Sequence, residues 1–399
     1  MIQKKHFLPL AATLTVVLIL LAISEIGIRV IVKTNPATGM LLIGRFALLP
    51  YRPDAQAAAV AWDVAGSSTY LIRDEDLGWA IKANGETLGG EYTATSHGFR
   101  GPKNWETTSS IPKGKIRISV YGDSFTHGDE VELKYTWADQ LQHLRANLEV
   151  LNFGVPAYGT DQAFLRFRRD GRKFDAQFHI LGIWPENLVR NLNVIRFYLN
   201  PQGDLGTSKP RFELVSGNLA LVNSPVLSRQ AFFDTVLQRN VSPVVAHDYW
   251  YRDDEQQFPF YYHLQAVRAA LSVYNAYHRR EIRNRLYFDK DGEALKVAVA
   301  IGEAFKNEVE ALGSRAYVSV IPMRDFLDAQ GSGNFPLVEM LKARSIPVLD
   351  FGPAFASKAK EVGVEALFIR GGHLSPLGNR LMAEEMDRKL SPEFDSALK

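Results

Sequence analysis

Between Lys115 and Arg190 three strand-like runs alternate with two stretches of helical spacing, and this rhythm constrains the fold more than any other feature of the chain. Ile116 to Tyr121, EVLNF (Glu149 to Phe153) and FHILGI (Phe178 to Ile183) read as strands. Thr136 to Leu148, with Trp137, Leu141 and Leu144 on one face, and Asp161 to Arg169 read as helices. Parallel strands need a connection that returns across the sheet, so this alternation predicts a central parallel sheet with right-handed helical crossovers. The rhythm stops near Arg190 and resumes late. Val297 to Leu312 has helical spacing, Ala316 to Ile321 and Pro347 to Asp350 read as strands, and Leu377 to Leu390 reads as a closing helix. The residues between, about 195–292, form an expected insertion into the α/β domain. Within it RFELVSGNLAL, Arg211 to Leu221, reads as a hairpin turning at Ser216-Gly217-Asn218. Tyr261 to Phe288 is aromatic and basic with helical periodicity. It reads as a packed helix with a solvated face, with a carbohydrate-stacking wall as the alternative.

Ahead of this domain the chain changes character twice. Phe7 to Ile23 carries no charge and is strongly apolar, and after Ser24 and Glu25 the apolar character resumes through Val32. A bilayer core is spanned by about 20 apolar residues, so residues 1–34 are expected to form an uncleaved transmembrane anchor, with a long signal peptide as the alternative. Lys4 and Lys5 precede the span and Arg29 and Lys33 follow it, so charge alone does not orient it. Residues 35–114 read as an irregular lead-in, with an Ala-rich patch, a Gly-rich stretch and the turn-like HGFRGP, His97 to Pro102. The domain proper is expected over residues 115–395.

Composition excludes several chemistries. A net charge of +2 gives no basic field for nucleic acid. The absence of cysteine rules out a disulfide, a thiolate metal site and a cysteine nucleophile. No spacing among the nine histidines and the carboxylates resembles a metal site, and no cofactor is expected.

In a doubly wound sheet, sites form beyond the carboxyl ends of strands. Four segments at or near such ends collect small and polar residues: Gly122-Asp123-Ser124, Asn152-Phe153-Gly154, Trp184-Pro185-Glu186-Asn187 and Gly371-Gly372-His373. Together they hold a hydroxyl to attack, an imidazole to take its proton and donors for an oxyanion, which is the inventory of acyl transfer. Asp123 and Ser124 also suit the cap of a following helix. His127, His143 and His179 read as solvated or core residues.

At these segments the sequence resembles the SGNH/GDSL hydrolase superfamily, whose four blocks supply serine, glycine, asparagine and histidine in this order. The first block matches as GDSFTHG, Gly122 to Gly128, and the second as NFGVPAYGTDQ, Asn152 to Gln162. The third is WPENLVRN, Trp184 to Asn191, where Gly-x-Asn-Asp is usual. The fourth is RGGHLSPLGN, with Arg370 where an aspartate usually precedes the histidine. DEDLGW, Asp74 to Trp79, and HGFRG resemble the lead-in of membrane-anchored bacterial members.

The resemblance implies a three-layer flavodoxin-like fold with a central parallel sheet, here with an N-terminal transmembrane helix and an inserted subdomain. It implies Ser124 as nucleophile, His373 as base, and an oxyanion hole from Ser124 N–H, Gly154 N–H and the Asn187 side chain. Arg370 cannot hold an imidazolium, being always cationic and donor-only. His373 is therefore oriented by a backbone carbonyl, or by Asp350 at the end of the last strand, or the site is weak or inactive. Asp123, Trp184 and Arg370 are candidate substrate contacts, Arg370 for an anionic group. The expected function is a serine esterase removing O-acyl, chiefly O-acetyl, groups from envelope or exported polysaccharide, with the domain outside the inner membrane. The expected partners are that acylated carbohydrate and the membrane, with no nucleic acid. An O-acyltransferase using the same site, and a non-catalytic polysaccharide-binding protein on a decayed fold, are the alternatives; a lipase or thioesterase is a weaker one.

Overall fold

Ile116, Ile118 and Val120 alternate along their strand with Arg117, Ser119 and Tyr121, and all six are buried, as they must be where helices cover both faces of a sheet. The computed structural model describes residues 4–44, 46–203, 206–330 and 335–397. It opens with the long helix α1 (Lys4–Ile31), followed by a small antiparallel sheet of β1 (Val32–Thr34), β2 (Leu41–Ile43) and β3 (Phe46–Ala47). Helix α2 (Ala55–Gly66) and the hairpin β4 (Leu71–Asp74) and β5 (Gly78–Ile81) complete the lead-in. The stretch read as irregular thus holds regular elements. Its Ala-rich patch is helix α2, started by Asp54, whose carboxylate accepts from the Gln56 and Ala57 N–H groups.

The central sheet contains β6 (Ile116–Tyr121), β7 (Leu148–Asn152), β8 (Phe178–Ile183), β11 (Arg315–Val320) and β12 (Val348–Asp350). Its order is β12-β11-β8-β6-β7, with every pairing parallel. Between these strands run α3 (Ser124–His127), α4 (Trp137–Leu144), α5 (Thr160–Arg169) and α6 (Glu186–Arg190). The insertion contributes α7 (Arg196–Leu199), the hairpin β9 (Arg211–Val215) and β10 (Asn218–Val222), α8 (Arg229–Val236) and α9 (Gln265–Phe288). The chain closes through α10 (Glu293–Ala311), α11 (Arg324–Gln330), α12 (Pro336–Ala343), α13 (Gly352–Val362), α14 (Val364–Leu367) and α15 (Pro376–Ala397).

Two apolar layers sandwich the sheet. Ile118, Val120 and Ile180 meet Trp137 and Leu141 of α4 and Met382, Met386 and Phe394 of α15 on one face. Tyr121 and Leu181 meet Phe164 and Phe167 of α5 and Ile301 and Phe305 of α10 on the other. The crossovers from β6 and from β8 leave in opposite directions, so a crevice opens between their carboxyl ends. Ser124 follows β6 and Asn187 follows β8, one on each wall of that crevice.

In α1, residues Ala12–Ile31 have a mean hydropathy of 2.3 and none of that stretch is buried, which is the length and composition of a membrane span or a signal segment.

Candidate active site

Asp123, two residues past the end of β6, keeps an extended backbone and caps α3: its Oδ1 accepts from Phe125 N–H at 3.0 Å. Ser124 then occupies the first position of the helix. Its own N–H has no intrahelical acceptor and meets none among the described residues. That orphan donor is the one an oxyanion on a carbonyl attached to Ser124 would use.

His373 comes from the other end of the chain and is brought up by a tight turn in which Ile369 N–H donates to His373 O at 2.9 Å. Its Nε2 lies 2.9 Å from Ser124 Oγ, and its Nδ1 lies 2.5 Å from Glu130 Oε2. A carboxylate only accepts, so the hydrogen sits on Nδ1 and leaves Nε2 to accept from the serine hydroxyl. Serine, histidine and a carboxylate therefore stand in the order of a catalytic triad.

The carboxylate at His373 Nδ1 belongs to Glu130, which sequence reasoning did not single out. Asp350, the proposed acid, belongs to β12, three strand spacings or about 14 Å from β6 across the sheet. Its Oδ1 accepts from Gly352 N–H at 2.9 Å, and it lines a hollow of about 230 Å³ with Pro185, Phe335 and Lys342. Nor does a backbone carbonyl orient the imidazole, since Nδ1 is taken by the carboxylate.

Glu130 is held in place by the lead-in. Its backbone is left-handed, with φ of +63°, a conformation that costs a non-glycine residue about 1–2 kcal/mol. Its N–H donates to Tyr92 Oη at 2.7 Å. Arg100, the arginine of HGFRG, is fully buried and donates to His127 O at 2.8 Å, Val131 O at 2.7 Å and Gly128 O, so one guanidinium grips the loop on both sides of Glu130. Gly371 leaves the room: a Cβ there would overlap the Glu130 carboxylate. The neighbouring Asp129 points inward, its Oδ1 accepting from His127 Nδ1 at 2.5 Å, while Tyr70 Oη donates to His127 Nε2 at 2.6 Å. Burial lowers the His127 pKa to about 4, so this histidine is a neutral structural brace.

The remaining expected residues are at hand with altered roles. Gly154 approaches the His127 backbone so closely that a Cβ would collide with it, and its N–H donates to Asn152 Oδ1 at 3.0 Å. Asn187 accepts from Trp184 N–H at 2.6 Å and donates to Asp123 Oδ2 at 2.9 Å and Tyr158 O at 3.0 Å. Both donors expected for the oxyanion hole are thus engaged in internal bonds, and each must exchange a partner to reach a substrate oxygen. Asp123, expected to touch substrate, is 1% exposed and instead joins the crevice walls, accepting from Asn187 and from Arg190 at 2.9 Å. The Trp184 ring stacks on Phe125 at 4.4 Å, and Phe125 lies 5.1 Å from the His373 ring, so Trp184 stands one ring away from the imidazole. Arg370 is exposed in the turn before His373.

No family model matches the chain, and no curated protein matches it. Solved structures do. A lipolytic protein of the G-D-S-L family from Desulfitobacterium hafniense is 14% identical with a TM-score of 0.34, over 69% of this chain and 99% of that one. A lipase/acylhydrolase from Enterococcus faecalis is 12% identical with a TM-score of 0.34, over 70% of this chain and 96% of that one. A catalytic mutant of an acetylxylan esterase from Geobacillus stearothermophilus is 10% identical with a TM-score of 0.36, over 69% of this chain and 95% of that one. The solved structures that this chain resembles thus include a lipolytic protein, a lipase/acylhydrolase and an acetylxylan esterase, and likeness at this level assigns no reaction.

Proposed function

We propose that this chain is an SGNH-type serine hydrolase that cleaves a carboxylic ester through an acyl-enzyme. The observation that carries the reading is the Ser124 Oγ to His373 Nε2 contact of 2.9 Å with the Glu130 carboxylate on the opposite ring nitrogen. Ser124 Oγ attacks the carbonyl carbon as its proton passes to His373 Nε2. The oxyanion takes the Ser124 N–H, and Gly154 N–H and Asn187 Nδ2 join it on releasing their internal acceptors. Glu130 stabilises the imidazolium, which then protonates the departing alcohol. Water, deprotonated by the same imidazole, frees the acid and regenerates Ser124.

The substrate class in this reading is an O-acyl, chiefly O-acetyl, group on envelope or exported polysaccharide, met by a domain held outside the inner membrane by α1. The family resemblance of the four blocks and the apolar helix support it. If a sugar hydroxyl replaces water in the second step, the same site transfers the acyl group. The test is labelling by a fluorophosphonate probe beside Ser124→Ala and His373→Ala, followed by acetyl esters with and without a sugar acceptor. Labelling abolished by both substitutions is expected. A folded wild-type protein that does not label removes the hydrolase reading, and labelling that survives Ser124→Ala removes this nucleophile.

A further inference from the structure

Helix α1 is built into the insertion rather than hung from it. Glu25 Oε2 accepts from Ala266 N–H at 2.9 Å, in the first turn of α9, where the helix itself supplies no acceptor. Arg29 pairs with Glu25 at 2.7 Å and donates to His263 O at 3.2 Å. The chain leaving α1 comes back to α9 farther along: Leu49 N–H donates to Ser272 Oγ at 2.9 Å, and Arg268 Nε donates to Leu49 O at 2.7 Å. At its far end α9 reaches the catalytic crevice, with Tyr287 Oη donating to Glu186 of α6 at 2.5 Å and Arg283 lying 3.3 Å from the same carboxylate. One helix therefore links α1 to the element that carries Asn187.

The height of this junction follows from length. A helix of 28 residues is about 42 Å long, and the hydrocarbon core is about 30 Å thick. With the uncharged run Phe7–Ile23 filling the hydrocarbon, Glu25 and Arg29, at the end of the apolar stretch Ala12–Ile31, stand at headgroup level, and the start of α9 is fixed beside them.

The surface around that junction is apolar. Phe260 is 84% exposed and Tyr274 69%, with Phe258, Leu264, Val273 and Tyr277 also open. Val273, Tyr274 and Tyr277 share one helical face, which continues into the exposed Arg280. Of the arginines of α9, Arg280 and Arg285 are exposed. Exposed aromatic and aliphatic side chains flanked by arginine are the composition of an element that lies at a membrane–water boundary.

We infer that the exposed face of residues 258–277 lies in the headgroup layer of the bilayer that α1 enters, so the catalytic domain is seated on the membrane in a fixed orientation instead of swinging on a tether. The inference rests on the reading of α1 as a membrane span, and the test separates the two. The chain has no cysteine, so single replacements take a fluorophore at one known position. Full-length Leu18→Cys, Phe260→Cys, Tyr274→Cys and Arg388→Cys are labelled and placed in nanodiscs containing lipids spin-labelled near the headgroup or deep in the chain. Leu18 is expected to lose its fluorescence to the deep label, Phe260 and Tyr274 to lose most of theirs to the shallow one, and Arg388 on α15 to keep its own. Quenching at Leu18 with Phe260 and Tyr274 behaving like Arg388 overturns the docking and leaves the span standing. No quenching at Leu18 overturns the span and the docking with it. Shielding of Phe260 and Tyr274 that follows protein concentration and not spin-labelled lipid assigns the face to a second copy of the chain and also overturns the inference.

Discussion

Replacing Glu130 with glutamine keeps the side-chain volume and removes the charge that faces His373 Nδ1. In the transition state the imidazole is protonated, and the wild-type carboxylate lies 2.5 Å from its nitrogen. Two unit charges about 4 Å apart interact by about 1 kcal/mol in water and about 4 kcal/mol at an effective dielectric constant of about 20. The Glu130 side chain is 44% exposed and His373 23%, which places this pair between those limits, at about 2 kcal/mol. That alone lowers kcat about 30-fold. Glutamine adds a second fault. Its amide can donate to Nδ1 and so place the ring hydrogen on Nε2, where it can no longer accept from Ser124. The expected result is a fall in kcat of about 30- to 1000-fold with little change in KM, because Glu130 acts on the base and not on the substrate. The assay is steady-state hydrolysis of a chromogenic acetyl ester, with Ser124→Ala as the floor and the unfolding midpoint as a check on integrity. A Glu130→Gln protein with kcat within about threefold of wild type, beside inactive Ser124→Ala and His373→Ala, would refute the reasoning and leave a serine–histidine pair that needs no acid.

Gly371→Ala should push the Glu130 carboxylate off His373 and lower kcat toward the level of Glu130→Gln while the unfolding midpoint stays near wild type; ester hydrolysis and thermal denaturation check both parts. Arg100→Lys removes the guanidinium fork that reaches three carbonyls of the Glu130 loop, and should lower stability by about 1–3 kcal/mol in urea unfolding and reduce kcat with it. Asp350→Asn should hydrolyse esters at the wild-type rate, since that carboxylate belongs to the far edge of the sheet. Burial holds His127 and His179 at about 4 against an unfolded value of 6.5, so below neutrality the unfolded chain binds protons that the folded one does not. Stability should therefore fall as pH drops through that window, by about 2 kcal/mol per histidine at about pH 5, and His179→Gln should flatten the slope of urea midpoint against pH.

The sheet was legible because its signals are local. β6, β7 and β8 are short runs whose period and β-branched content differ from the helices beside them, and the structure places them within a residue or two of where the pattern does. Ser124 and Asn187 were legible for a related reason: each follows a strand whose carboxyl end had already been located. The lead-in was not. Its strands have only two to four residues, too short for a period to show. HGFRG could be quoted as a motif, but that Arg100 grips the loop of residues 127–131 is a property of two segments meeting, which neither segment encodes alone.

The carboxylate beside His373 marks the boundary most sharply. Looking three residues before His373 leads to Arg370, and looking along the strand ends leads to Asp350; both searches are local. Glu130 is 243 positions away in the chain, and its acidic neighbours Asp129 and Glu132 make it one carboxylate among several in a polar loop. By itself the sequence determined the parallel sheet, the serine after its first strand, the histidine near the C-terminus and an apolar helix long enough to cross a bilayer. Only the tertiary structure decided which carboxylate meets the histidine, which donors are already engaged, and that α9 joins the apolar helix to the catalytic crevice. Periodicity and turn chemistry act over a few residues and are written in the order of the chain. A triad requires atoms within about 3 Å, and that proximity is set by how distant segments cross, which the linear order leaves open.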